Sequence, residues 1–275
     1  MRSRILCTIG KDFAPEGKKI LESLGKVDYV TPTQKRLPTV IHAYTAIVTQ
    51  IGLQFDAYTL RHASHLRFLA TATTGTDHID QVFAHAHGIC VLSLKGELAL
   101  LEDIPSTAEH TWGLLLSLIR NTVPAASAVT LGQWNGKPFA GTELKGKTLG
   151  IIGVGRLGRM IAGYGKAFAM NVIGCDPRKI AGSVCKQVPL RTVLQQSDVV
   201  SLHVHRTPET EGMLSSAAFK SMKSSAVLIN TARGDIVDER ALIVALKKKI
   251  ISGYAADVLA NESAFGSDVR RSPLV

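Results

Sequence analysis

Residues 147–177 read KTLGIIGVGRLGRMIAGYGKAFAMNVIGCDP, a strand–turn–helix–strand pattern in one continuous run. A short apolar run, Thr148 to Ile152, leads into Gly153-Val154-Gly155-Arg156-Leu157-Gly158. A helical pattern follows, and a second apolar run from Asn171 to Cys175 closes on Asp176, 18 positions past the third glycine. A glycine-rich hexapeptide alone is weak evidence. A strand before it, a helix after it and an acidic residue at this distance are the context in which such a loop holds a dinucleotide.

Each position has a physical task. Gly153 can make the tight strand-to-helix turn without a Cβ clash. Gly155 leaves room for the main chain to approach a pyrophosphate, and Gly158 lets the helix pack closely on the strand. Arg156 and Leu157 open that helix, whose free N–H groups and positive dipole end face the phosphates. Asp176 accepts hydrogen bonds from both ribose hydroxyls, which favours NAD, because a 2′-phosphate would meet a like charge. Arg178, two residues on, leaves NADP open.

Working outward, 275 residues suggest one large or two ordinary domains. The content, 45% hydrophobic and 20% charged, is that of a soluble globular protein with ample material for a core. Cys7, Cys90, Cys175 and Cys185 stand singly in apolar or strand-like runs, as reduced thiols of a cytoplasmic protein do. The first ten residues carry no signal-length apolar region, and no apolar stretch reaches the ~18 residues of a membrane helix. The net charge of +10 is scattered. Its one run, Lys247-Lys248-Lys249, reads as a solvated helix end and not a nucleic-acid patch. A positive field suits an anionic substrate and cofactor. No metal site is expected: the pairs His203/His205 and His85/His87 have no evident third ligand.

Residues 1–100 alternate apolar runs (5–9, 27–30, 46–49, 68–73, 89–92) with helical patterns (16–24, 79–87), an α/β unit with a parallel sheet. Residues 106–120 read as a long buried helix, with Ser106 as its cap and Glu109 completing a capping box. A Gly- and Pro-bearing link follows, 132–146. From Thr148 the alternation restarts, with strands at 148–152, 171–175, 198–202, 226–230 and 253–257. Helices are predicted near 156–169, 190–196, 215–221 and 238–247. The expectation is an α/β protein of two parallel-sheet domains, 1–100 and 101–275, with 101–146 as linking helix and loop. Two such lobes place a cleft between them, and ligands bind at the carboxyl ends of the strands.

Three further segments fall at strand carboxyl ends of the second lobe. They are Ser201 to Thr210, Asn230-Thr231-Ala232-Arg233-Gly234, and Ala256-Asp257-Val258-Leu259-Ala260-Asn261-Glu262. An arginine, an aspartate and a glutamate on one edge suit a small keto or hydroxy acid. The guanidinium can hold a carboxylate bidentately and polarise a carbonyl. A carboxylate can orient a histidine and raise its pKa.

With these motifs on the page, the chain resembles the D-isomer-specific 2-hydroxyacid dehydrogenases over nearly its whole length. The resemblance rests on the glycine loop, Leu-His-x-x-x-Thr-Pro-x-Thr at 202–210, the segment 230–234, and Asp257-Val258 followed by Glu262. Residues 72–80, Ala-Thr-Thr-Gly-Thr-Asp-His-Ile-Asp, add the family's substrate-carboxylate loop. The resemblance implies a Rossmann NAD-binding lobe inserted in a flavodoxin-like substrate lobe, usually dimeric. It implies hydride transfer between NAD and a small anionic D-2-hydroxy acid or 2-keto acid. Arg233 then corresponds to the catalytic, substrate-binding arginine and Glu262 to the glutamate paired with the catalytic histidine. Asp257 corresponds to the residue holding the nicotinamide carboxamide, Thr207, Thr231 and Ala232 to cofactor contacts, and Thr74 and Gly75 to the substrate loop.

Two departures stand out. The family's catalytic histidine lies beyond Glu262 in a Thr-Pro-His segment, and here no histidine follows His205 before Val275. That leaves three accounts: truncation before the histidine and the C-terminal helix of the first lobe, a different histidine as acid, or an NAD-binding homologue without turnover. His205 and Arg206 stand where the family usually has Pro and Leu. His203 and His205 share one face if the strand continues to them, while His78 and His110 read as packing or capping residues.

Overall fold

The computed structural model describes residues 3–260, 262 and 268–274, so Asn261 of the third strand-end segment lies outside the described residues. The chain divides into two compact units, Met1–Leu101 and Glu102–Val275.

The first unit is a five-stranded parallel sheet of β1 Ser3–Cys7, β2 Gly25–Tyr29, β3 Ala46–Thr49, β4 Phe68–Thr71 and β5 Cys90–Leu92. Its order, β2-β1-β3-β4-β5, is that of flavodoxin-like folds. Helices α1 Pro15–Leu24, α2 Leu37–Val40, α3 Ala57–Arg61 and α4 Gln81–Ala86 connect the strands, and α5 Leu98–Glu102 ends the unit. Pro15 opens α1, where its missing N–H costs nothing. Asp56 and Asp80 cap α3 and α4 by accepting from Thr59 N at 2.7 Å and Phe83 N at 2.9 Å. The core gathers Leu6, Leu37, Ile47, Phe55, Leu60 and Leu69.

The second unit is a six-stranded parallel sheet. Its strands are β6 Thr148–Ile152, β7 Asn171–Cys175, β8 Lys186–Gln187, β9 Val199–Leu202, β10 Val227–Asn230 and β11 Gly253–Ala256. The order β11-β10-β9-β6-β7-β8 is doubly wound, with its switch point between β6 and β9. Every residue of β9 and β10 is buried, as apolar runs sandwiched between helix layers must be. Alternation sorts the strand side chains. Leu149, Ile151, Val199 and Ile229 face one core, and Ile152, Val200, Leu202 and Leu228 face the other. Helices α6 Ser106–Ile119 and α8 Arg156–Ala167 cover the first face. Helices α9 Leu190–Gln196, α10 Ser216–Ser221 and α11 Glu239–Lys247 cover the second.

Three sequence expectations change. Ser106 is not the cap of α6: Pro105 stands at the N-cap with helical dihedrals and no side-chain cap bond, so Ser106 is already the first helical residue. A second helix, α7 Thr122–Thr130, forms between the expected helix 106–120 and the link 132–146, where no element is read from the sequence. Its Pro124 lies in the first turn, where backbone N–H groups have no intrahelical acceptor to lose. Finally, β9 ends at Leu202, so His203 and His205 belong to the following loop and share no strand face. The lysine run closes α11, with Lys249 at φ 53°.

Candidate functional site

Register builds the site. Cys175 pairs with Ile152, Ile152 with Leu202, Leu202 with Asn230 and Asn230 with Ala256. Five parallel strands therefore end on one line, and the next residue of each, Asp176, Gly153, His203, Thr231 and Asp257, leaves the sheet at the same edge.

The three glycines of the loop do different work. Gly153 sits at φ 89°, and a Cβ there would lie 2.6 Å from His203 O. A Cβ on Gly158 would run into the Gly153 carbonyl oxygen and stand 3.2 Å from Ile151 Cγ2. Above Gly155, the N-cap of α8, only Arg178 Nη2 comes within reach, at 3.9 Å. Gly153 thus lets the loop after β9 pass close, Gly158 presses helix onto strand, and Gly155 leaves open space at the end of a 12-residue helix whose N-cap makes no side-chain bond. That open cradle fits a pyrophosphate. Leu157 packs into the core, and Arg156 Nη1 donates to Ile104 O at 2.7 Å, tying the segment before α6 to the loop.

Asp176 is fixed by main chain on both oxygens. Oδ2 accepts from Val154 N at 2.9 Å, and Oδ1 accepts from Arg178 N at 2.9 Å and faces Arg178 Nε at 3.4 Å. Gln187 Nε2 donates to the carbonyls of Asp176 and Arg178, each at 3.0 Å. The carboxylate borders a cavity of ≈ 510 Å³ lined by Ile152, Pro177, Val188, Val204 and Met213 among others, an apolar slot of the size of small-molecule sites. Arg206 turns to Asp235 and Glu211, both at 3.3 Å. Exposed Thr207 donates its N–H to Thr210 Oγ1 at 2.8 Å, and that hydroxyl donates to His205 O at 2.7 Å, closing the loop on itself.

At the other end of the edge lies the arginine turn. Asn230, fully buried, donates through Nδ2 to Arg233 O at 2.9 Å and accepts at Oδ1 from Ala232 N at 3.0 Å. The same amide reaches Tyr254 Oη at 3.5 Å, and burial pushes that phenol up to about 12. Arg233 Nη1 donates to Ala232 O at 2.7 Å. The hydroxyls of Thr231 and Thr111 lie 2.7 Å apart in the interior. Gly234 carries no Cβ because the main chain of Leu259 and Ala260 crosses directly over it. Glu239 Oε1 accepts from Ala260 N at 2.7 Å and Glu262 Oε1 from Leu259 N at 2.8 Å. Asp257 N donates to Asn230 O at 3.4 Å, and Asp257 Oδ2 lies 3.6 Å from His110 Nε2.

His203 pairs with Ser201 Oγ at 2.8 Å, and desolvation lowers its pKa to about 4, so its ring is neutral near pH 7. Burial likewise holds Cys175 up at about 11, a protonated thiol. In the first unit, Thr74 and Gly75 follow β4 in a half-buried loop. Thr73 Oγ1 donates to Gly75 O at 2.6 Å, Thr71 Oγ1 lies 2.9 Å from Thr73 Oγ1, and buried His78 faces Thr71 at 3.3 Å. Among the described residues no group of three metal-ligating side chains occurs, and no helix is long and apolar enough to cross a membrane.

Sequence reasoning missed Asn230, Glu239, Thr111 and the placement of His110 beside Asp257. Only for Asn230 was there a signal, a polar residue closing the apolar run Val227 to Ile229 just before an arginine.

A doubly wound sheet with a glycine loop, an acidic strand end and an arginine turn on one edge defines a dinucleotide-binding Rossmann domain. Residues 112–274 match the family described as D-isomer specific 2-hydroxyacid dehydrogenase, NAD binding domain, and the chain belongs to that family. It is 41% identical over 226 residues to a glycerate dehydrogenase of Methylorubrum extorquens, covering 80% of this chain and 68% of that one. A D-3-phosphoglycerate dehydrogenase of Methanocaldococcus jannaschii is 35% identical over 250 residues, 89% of this chain, which spans about half of that relative (47%). Among solved structures, D-lactate dehydrogenase of Aquifex aeolicus complexed with NAD and lactic acid superposes with a TM-score of 0.84 at 29% identity, covering 95% of this chain and 78% of that one.

Proposed function

We propose that this protein reduces a small anionic 2-keto acid, or oxidises the corresponding D-2-hydroxy acid, with NAD(H) held on the second unit. The observation that carries this reading is the common edge: glycine loop, Asp176, the Arg233 turn and Asp257 all leave the sheet in register. When bound, NAD(H) supplies or takes up the hydride. Gly153, Gly155 and Gly158 shape the phosphate cradle, with the N–H groups of Arg156 and Leu157 in it, and Asp176 orients the ribose. Thr207, Thr231 and Ala232 line the path toward Asp257, which holds the carboxamide.

Arg233 holds the substrate carboxylate and polarises the carbonyl, a role a planar fork of donors performs better than a point charge. The Asn230 bonds to both sides of the turn fix the main chain that carries Arg233 before substrate arrives. Glu262 serves the acid/base chemistry as the carboxylate that orients a histidine, which gives its proton to the carbonyl oxygen as hydride reaches the carbon; residues 206–275 contain no histidine, so that donor lies outside them. On the first unit, Thr74 and Gly75 present main-chain N–H groups to a carboxylate, so that unit is the substrate domain and residues 101–275 the cofactor domain. The net charge of +10 draws both anionic reactants in.

The protein works as a homodimer in the cytoplasm. Val123, Val129, Leu131 and Trp134, the last 90% exposed, form an apolar stretch along and beyond α7 that a second copy would cover. The four cysteines are free thiols. Loss of NADH absorbance with hydroxypyruvate, glyoxylate, phosphohydroxypyruvate and pyruvate tests the activity. Turnover of at least one is expected, and NADH binding with no turnover of any member, either by residues 1–275 or by a chain extended at its C-terminus, would refute the enzymatic reading.

A further inference from the structure

We propose that His110 is the positioning residue for Asp257, presenting that carboxylate to the nicotinamide carboxamide; this rests on the NAD reading above. Asp257 is the first residue past β11, partly exposed, and a carboxylate there is free to rotate unless something beside it takes one oxygen. His110, in the second turn of α6, places Nε2 3.6 Å from Oδ2. With that oxygen turned to the imidazole, the other is left for the amide N–H of the ring.

The main chain that carries the imidazole is held where it can do this, while the ring itself is 52% exposed. Helix α6 packs against β10 and β11. Thr111, the next residue, is buried with its hydroxyl 2.7 Å from that of Thr231 in the arginine turn, and it donates to Thr107 O at 2.6 Å. Two residues before α6, Ile104 O accepts from Arg156 of the glycine-loop helix at 2.7 Å. The stretch 104–111 is thereby fastened to the phosphate end of the site at one side and to the arginine turn at the other. His110 lies beside the second fastening, 147 residues from Asp257 in sequence. Fixing the carboxylate before the cofactor arrives removes rotamer entropy that binding would otherwise have to overcome.

The experiment compares dissociation constants for NADH, for the reduced acetylpyridine analogue, whose methyl ketone lacks the amide N–H, and for ADP-ribose, which lacks the ring. Wild type should prefer NADH over the analogue. In His110→Phe this preference should fall about three- to tenfold, the worth of one hydrogen bond. It should return in His110→Gln, which keeps an N–H donor. ADP-ribose should bind all three proteins alike, which also reports that the variants are folded. A wild-type preference retained in His110→Phe overturns the proposal, and so does an equal loss in both variants, since the effect would then follow shape and not the donor. Wild type that binds ADP-ribose but shows no preference for NADH overturns the role assigned to Asp257 and this proposal with it. Failure of wild type to bind either ligand refutes the NAD reading itself.

Discussion

Adding one methyl group to the glycine loop at two positions three residues apart should separate stability from binding. At Gly158 a new Cβ meets the Gly153 carbonyl oxygen outright and stands 3.2 Å from Gly153 C and Ile151 Cγ2, inside the ~3.5–4.0 Å at which carbon atoms attract. Over-packing a core costs about 1–3 kcal/mol when side chains can yield. Here the main obstacle is main chain, so the upper part of that range applies. Alanine's advantage over glycine in a helix, about 1 kcal/mol, offsets part of it. Gly158→Ala should therefore lose about 2 kcal/mol, a melting midpoint roughly 4–8 °C lower. At Gly155 the new Cβ enters open space, 3.9 Å from Arg178 Nη2, at φ −75° and ψ −153°, dihedrals alanine accepts. The entropy gain of about 0.4–1 kcal/mol is opposed by alanine's poor N-cap preference, so stability should change by less than ~0.5 kcal/mol. That methyl fills the room left for pyrophosphate. Losing one charge-assisted hydrogen bond there, about 1.5–3 kcal/mol, weakens NADH about 10- to 100-fold. Thermal melts and NADH titration of both variants check this. Gly155→Ala binding NADH like wild type, or Gly158→Ala melting like wild type, would refute the assignment of tasks within the loop.

Asp176→Ala should raise the dissociation constant of NADH about tenfold and improve NADPH relative to it, because the like charge facing a 2′-phosphate is gone while Arg178 remains; an unchanged NADH/NADPH ratio by titration contradicts that. Asn230→Ala leaves buried Ala232 N without its acceptor, while Arg233 O keeps the Ile236 N–H at 3.3 Å, so the loss is that of one unpaired group, about 1–3 kcal/mol, read by urea unfolding. His203 sets a pH dependence with a defined sign. Its folded pKa, about 4, lies below the ordinary ~6.5, so the unfolded chain takes up the proton first as pH falls. The stability it contributes is complete above pH ~6.5 and falls away by up to about 3 kcal/mol toward pH ~4. Unfolding midpoints of His203→Gln across that window should be flatter than wild type, and equal slopes would show that another group controls the acid limb.

Strands of the second unit were legible in the sequence because a doubly covered parallel sheet requires unbroken apolar runs. Val199–Leu202 and Val227–Asn230 fall within a residue of the expected 198–202 and 226–230. Less legible were elements whose signals compete. Residues 122–130 carry no element in the sequence reading, yet α7 forms there, and Pro124 at its third position forfeits no bond. Ser106 followed by Glu109 reads as a capping box, yet the chain is already helical at Pro105, which leaves the serine hydroxyl no cap position. The pair His203/His205 reads as one strand face, yet pairing stops at Leu202.

Read alone, the chain determined its fold class, its family and the chemistry of its strand ends. Glycines, an acidic residue and an arginine at those spacings are local requirements of turns, helix starts and phosphate approach, and local requirements are written in contiguous residues. Tertiary structure alone decided how the site is held. Asn230 clamps the Arg233 turn, Thr111 meets Thr231 across 120 positions, Glu239 holds Ala260, and His110 faces Asp257. These contacts exist because register brings five strand ends to one edge and helix packing lays α6 beside them, and neither distance nor direction between such residues is encoded by their separation along the chain.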